Sequence, residues 1–190
     1  MNTILSPFPA YFPRPHGLAV LSGKHAASGQ LLKICARLSL NESVYLFDCG
    51  NRSNMYFVAQ KLRSLTSDPV AALHRIVLAR AFTCYQSEAL LAGNRHLRDM
   101  SILIFDLVSS FFDEAVPRRE AERLFDDVLD HLLKLAQNNS ILIGIPLSSR
   151  IYGERNKLID RLRDTADVFH QIVDTPAPVF AEDRQQLPLF

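Results

Sequence analysis

Cysteine is scarce in this chain and has no obvious pairing. Only Cys35, Cys49 and Cys84 occur, an odd number without a CxxC spacing, which argues against a disulfide framework and a zinc site and points to a reducing compartment. An excess of charge of either sign is also missing. Twenty-one Lys and Arg stand against twenty Asp and Glu, a formal charge of +1, so the whole-chain basic footprint of a dedicated nucleic-acid binder is absent and any DNA contact must be local. Long apolar runs are lacking: Ser101 to Phe112, interrupted by Asp106, and Ile141 to Leu147 fall well short of the roughly 20 residues that span a bilayer. Met1 to Pro15 has neither a basic leader nor a continuous apolar stretch, so a cytoplasmic protein is expected. Repeats, low-complexity tracts and the HExxH, GxSxG and Cys/His nucleophile patterns are not found.

What remains is the composition of one folded domain: 190 residues, 48% hydrophobic and 22% charged, with a mean hydropathy of +0.04. Residues 1–16 form a Pro- and aromatic-rich arm, 17–174 a core domain, and 175–190 a polar, Pro-containing tail. Within the core, six apolar runs rich in Ile, Val and Phe read as strands buried on both faces: 17–22, 43–48, 75–82, 101–108, 140–146 and 166–173. Helical spacing separates them, as in Leu31, Ile34, Cys35 and Leu38, in Met55, Val58, Ala59 and Leu62, and most clearly from Ala121 to Leu135. Such alternation predicts an α/β fold, a mainly parallel sheet between two helical layers.

Ligands of such sheets sit beyond the carboxyl ends of the strands. That rule selects Gly23, Lys24 and His25 after the first strand, Asp48, Asn51 and Arg52 after the second, Cys84 and Gln86 after the third, and Asp106, Asp113 and Glu114 at or beyond the fourth. Together they could rim one cleft. Cys49 and Cys84 read as buried, inert thiols, His131 as a surface residue, and Asp126, Asp127 and Asp130 as the wet face of a helix.

In order along the chain, residues 17–174 resemble the ATPase core of RecA-type recombinases, especially the archaeal RadA kind. Gly17 to Leu32 (GLAVLSGKHAASGQLL) is similar to the strand, phosphate loop and first helix, and Val44 to Gly50 (VYLFDCG) to the second strand. Leu78 to Gln86 (LARAFTCYQ) resembles the recombinase ARAF…HQ segment, the most specific match, and Ile102 to Asp106 (ILIFD) a Walker B strand. The GNR and ARAFTC segments are also similar to those of small prokaryotic RecA-like proteins. The resemblance implies a three-layer RecA-like P-loop NTPase fold with strand order 3-2-4-5-1-6 and Asp106 near the carboxyl edge of a central strand.

The departures from the family pattern decide the expected chemistry. A working phosphate loop is GxxxxGK[ST], whose backbone N–H groups, Lys and hydroxyl hold phosphates and Mg²⁺. Here Ser22 and Ala27 stand at the two glycines, Ser28 at the Lys and Gly29 at the Ser/Thr, while Cys49, Gly50 and Asn51 stand where the family's water-activating glutamate belongs. The resemblance therefore implies a degenerate nucleotide cleft of Gly23, Lys24, His25, Ser28, Gly29, Asp48, Gln86 and Asp106, with no catalytic residue, no metal and no cofactor. The alternative is a nucleotide-binding ATPase using ATP with Mg²⁺, in which Lys24 reaches a phosphate and Asp106 or Asp113 holds the metal. Its plainer counterpart leaves Lys24 solvated, with Asp106 capping a strand end or pairing with a neighbouring Arg.

Two segments point to macromolecular partners. Arg150, Arg155 and Lys157, with Arg161 and Arg163, follow the fifth strand, where DNA-contacting loops of recombinases emerge; they are candidate weak DNA contacts, and equally one side of an amphipathic helix. The terminal Gln186-Leu187-Pro188-Leu189-Phe190 is similar to the QLxLF signature with which bacterial polymerases and repair proteins bind the sliding clamp, with Leu189 and Phe190 as apolar anchors and Gln186 supplying amide hydrogen bonds. The expected protein is a non-catalytic RecA-like accessory factor of bacterial DNA repair, recombination or replication that contacts the sliding clamp. A recombinase or translesion polymerase is a further expected partner, and assembly with a true recombinase is the remaining alternative.

Overall fold

The computed structural model describes residues 12–13, 15–147 and 150–172, with the backbone alone at 150–152. Most of the arm at 1–16, the tail at 175–190 and the side chain of Arg150 lie outside the described residues. Among these residues six strands form one sheet: β1 (Gly17–Gly23), β2 (Val44–Asp48), β3 (Ile76–Arg80), β4 (Ser101–Phe105), β5 (Ser140–Pro146) and β6 (Val168–Gln171). Their order is β3-β2-β4-β5-β1-β6 and every pairing is parallel. This is the expected order. Among the described residues six α-helices cover the sheet: α1 (Ser28–Leu38), α2 (Met55–Arg63), α3 (Pro69–His74), α4 (Cys84–Gly93), α5 (Arg118–Ala136) and α6 (Asn156–Thr165).

Period-2 alternation in the strands splits the core in two. Ala19, Leu21, Leu46, Leu103, Phe105 and Leu142 face the layer of α1, α2 and α3. Leu18, Val20, Phe47, Ile102, Ile104, Ile141 and Ile143 face that of α4, α5 and α6. Strands apolar at consecutive positions thus bury both faces, as β4 does at every residue.

Two strands depart from that expectation. β3 and β6 are the sheet edges, and their side chains are largely exposed or half-buried, because at an edge the covering helices reach only part of the strand. Part of the expected arm belongs to the core: Phe12 is buried in the α1 layer and the Pro15 carbonyl accepts a hydrogen bond from the Ser140 hydroxyl at 2.7 Å. Among the described residues no helix is long and apolar enough to cross a membrane.

Candidate functional site

At the carboxyl ends of β2 and β4 two buried carboxylates are held by arginines. Asp48, the last residue of β2, accepts hydrogen bonds from the backbone N–H groups of Arg52 (2.8 Å) and Ser53 (3.0 Å) and from the Ser53 hydroxyl (2.5 Å), and Arg80 Nε lies 3.4 Å away. Burial alone would push its carboxyl up. The hydroxyl of Ser53 and the N–H groups of Arg52, Ser53 and Gly50 outweigh that and hold it below the usual carboxylate range.

Asp106, just past β4, is 1% exposed and takes a left-handed backbone, φ 54°, which Asp tolerates better than most residues. One carboxylate oxygen accepts from Arg52 Nε at 2.9 Å and the other from the Ser109 hydroxyl, while its N–H donates to the Gly144 carbonyl at 2.9 Å. Opposite it stands Gly50, where a Cβ would come within 2.5 Å of the Asp106 Cβ. Any cation binding Asp106 would have to displace Arg52 or Ser109. Among the described residues no group of three or more His, Cys, Asp or Glu is arranged to hold a metal.

Between β1 and α1, where a phosphate loop belongs by resemblance, residues Lys24–Ala27 form a tight 3-10 turn. His25, Ala26 and Ala27 have φ of 50°, 56° and 52°, a run of left-handed residues without a single glycine. Such residues cost roughly 1–2 kcal/mol each. Compensation comes from packing: Ala26 and Ala27 are buried, and the Ala26 carbonyl lies against β5 at Gly144, where a Cβ would stand 2.3 Å from that oxygen. The turn therefore places a carbonyl on the sheet, where a phosphate loop would present N–H groups to a ligand.

Lys24, His25, Ser28 and Gly29 do come together, around an open concavity of about 360 Å³ also lined by Gln30, Lys33 and Ile172. Gly23 closes β1 beneath them, buried against Ala27 and Ile172. Asp48 and Asp106 belong to the separate arginine-bound cluster, so the expected residues do not rim one cleft. Gln86 serves a third purpose. Its amide oxygen accepts the Phe82 N–H at 2.8 Å while the Thr83 hydroxyl accepts the Gln86 N–H at 3.2 Å, a cap on α4. Asn51, Asp113 and Cys49 line a shallow pocket with Ser109 and Ser110.

The three thiols are buried and free of disulfides. Burial pushes Cys35 and Cys49 up to about 12 and raises Cys84, so none is an activated nucleophile. His131, expected at the surface, is instead buried between α4 and α5, with Nε2 3.0 Å from a Glu88 carboxylate oxygen; its position on the inner stripe of α5 outweighs its acidic neighbours in sequence. Asp126, Asp127 and Asp130 do form a wet helix face, paired with Arg161, Arg123 and Lys134.

Of the candidate DNA contacts, Arg155 is a strut: its guanidinium donates to the carbonyls of Phe111, Asp113 (2.8 Å) and Val116 (3.1 Å). Lys157 pairs with Glu154 at 2.6 Å. Arg163 pairs with Asp160 and stacks 4.6 Å over Phe169. Gln186, Leu187, Leu189 and Phe190 lie outside the described residues.

Sequence reasoning passed over Arg80, Ser53 and Ser109, the groups that complete the carboxylate cluster, and Gly144, which admits the turn. Arg80 carried a usable signal, a lone charge in an otherwise apolar strand. Compared with known proteins, the chain matches no family model and no curated protein.

Proposed function

We propose that this chain is a non-catalytic RecA-like accessory protein of bacterial DNA repair or replication, working through contacts with other macromolecules. The observation that carries the reading is the conversion of the cleft. The turn at Lys24–Ala27 packs its own backbone against Gly144, and Asp106 has both carboxylate oxygens engaged by Arg52 and Ser109. Catalysis of phosphoryl transfer rests on positioning and charge stabilisation, which such a site supplies poorly. The strand order and the Asp106 position agree with the RecA resemblance.

The proposed partner of the C-terminal Gln186 to Phe190 segment is the sliding clamp. Docking a short linear segment costs conformational freedom, so affinity on the order of micromolar is expected. The test uses the full chain. Purified protein should show no Mg²⁺-dependent ATP turnover, and Leu189→Ala with Phe190→Ala should abolish clamp capture while leaving the melting temperature unchanged. Turnover that disappears in Asp106→Ala would overturn the non-catalytic reading, and clamp capture by the double variant equal to the parent's would overturn the partner.

One observation favours pairing with a true recombinase as a second reading. The edge strand β3, the turn after it and the start of α4 expose Val77, Leu78, Phe82 and Tyr85, and an apolar edge is a ready template for an added strand. A Val77→Lys variant should then lose recombinase capture but keep clamp capture.

A further inference from the structure

The two helical layers differ in how their charges are used. On the layer of α4, α5 and α6, most cations are already paired: Arg118 with Glu122 and Glu154, Arg123 with Glu120 and Asp127, Lys134 with Asp130, and Arg161 with Asp126. On the other layer, α1 and α2 contain no Asp or Glu. From Lys24 to Arg63 the chain has six Lys and Arg, of which Arg52 is paired with Asp106, against two carboxylates, of which Asp48 is buried in its own hydrogen bonds. Because the whole chain is nearly neutral, this excess is matched by an excess of acid elsewhere.

The excess has a shape. The concavity at the start of α1, lined by Lys24, His25 and Lys33, continues along the helix into a second one lined by Lys33, Arg37 and Lys61, and Gln30 and Lys33 belong to both. Lys33, Arg37 and Lys61 are exposed, and neither Lys33 nor Lys61 has a carboxylate partner among the described residues. Lys33 and Arg37 are one helical turn apart, about 6 Å along the axis. The positive end of the α1 dipole lies at one end of the groove, with no acidic residue in the first turn to offset it.

We infer that this groove between α1 and α2 binds the phosphodiester backbone of a nucleic acid. A row of point charges with polar side chains between them fits a regular line of phosphates. An acidic peptide fits less well: peptides held in helical grooves are anchored by apolar side chains along their length, whereas the large apolar residues lining this groove among the described ones are Ile34, which is buried, and Ile172, half-buried at one end. The site is distinct from the Arg150, Arg155 and Lys157 segment, and the inference goes beyond the proposed function, since it needs neither the clamp nor an inert cleft.

The experiment is fluorescence anisotropy of the full chain with a fluorescein-labelled single-stranded oligonucleotide, titrated at several salt concentrations. The parent should bind at about 50 mM salt and weaken steeply towards 200 mM. The variant Lys33→Ala with Lys61→Ala should bind at least about tenfold more weakly, with a salt slope shallower by about 1.4, the value for two lost contacts to a single strand. A control with the same charge change on the opposite layer, Arg123→Ala with Lys134→Ala on α5, should bind as the parent does, and circular dichroism should be unchanged for all three. No binding by the parent at low salt would overturn the inference. So would equal weakening by groove and control variants, or polyglutamate displacing the probe as well as unlabelled oligonucleotide does. Clamp capture by the groove variant reports separately on the proposed function, because the last five residues are intact.

Discussion

Asp48 shows how one residue's environment sets its role. A carboxylate fully removed from solvent persists as an anion only where hydrogen bonds replace its water, and here two backbone N–H groups and a hydroxyl do so, with Arg80 supplying the opposite charge. Asp48→Asn keeps the shape and removes the charge, so it should cost about 2 kcal/mol at pH 7, the scale of hydrogen bonds to a charged group. The pH dependence has a definite sign. A carboxyl held low in the folded state contributes stability above its unfolded pKa of about 3.9, and that contribution is lost as the pH falls through the lower folded value. Chemical denaturation of both proteins should therefore show a gap that is constant above about pH 5 and closes in more acid solution. A gap of the same size at pH 3 and pH 7 would mean that the ionised carboxylate does not matter.

Elements meet at one demanding contact, where the turn ahead of α1 rests on β5. The sheet is continuous through Gly144, paired with Leu21 on one side and Phe105 on the other, so β5 cannot retreat. The turn in its place has a carbonyl 2.3 Å from where a Cβ would be, and Leu31 stands about 3.0 Å away. Gly144→Ala should accordingly push the turn off the sheet and destabilise the protein by about 3 kcal/mol or more, the upper end of overpacking costs, because backbone rather than a flexible side chain must move. Thermal melting checks this, and a fall in Tm of only a degree or so would show that the turn yields freely. The six strands and the three long amphipathic patterns were legible in the sequence because burial on one or two faces imprints period 3.6 or unbroken apolar runs. This contact was not: the departures from a phosphate loop at Ser22, Ala27, Ser28 and Gly29 were readable, but the left-handed path of His25, Ala26 and Ala27 was hidden, since alanine carries no preference for it. The arginine-bound cluster was half legible, with Asp48, Arg52 and Asp106 chosen by their place after strands and Arg80 lost inside an apolar run.

At the scale of the whole molecule, position in the sheet decides which parts are held most firmly. Central β4 is buried at every residue and β5 and β1 at all but one, and each is flanked on both sides, whereas β3 and β6 have one neighbour each and side chains that are mostly exposed or half-buried. β6 is also the shortest strand, Val168–Gln171, paired only along Ala19 to Ser22 of β1. Local opening requires little apolar surface to be exposed at such an edge, while separating β4 from β5 disrupts both halves of the core at once. Native-state hydrogen exchange should therefore order the strands. Amides of β4, β5 and β1 should exchange only through global unfolding, and their exchange should respond to denaturant with the full slope of the unfolding transition. Amides of β6 should exchange earlier and with a shallow slope, and those of β3 should fall between, because the α2–α3 layer covers its inner side through Ile76. Equal protection of β6 and β5 would mean that the edge is held by contacts beyond the sheet. The Asp167 carboxylate, which accepts the Leu18 N–H at 2.8 Å next to β6, is where such support would first be sought, by repeating the exchange on Asp167→Asn.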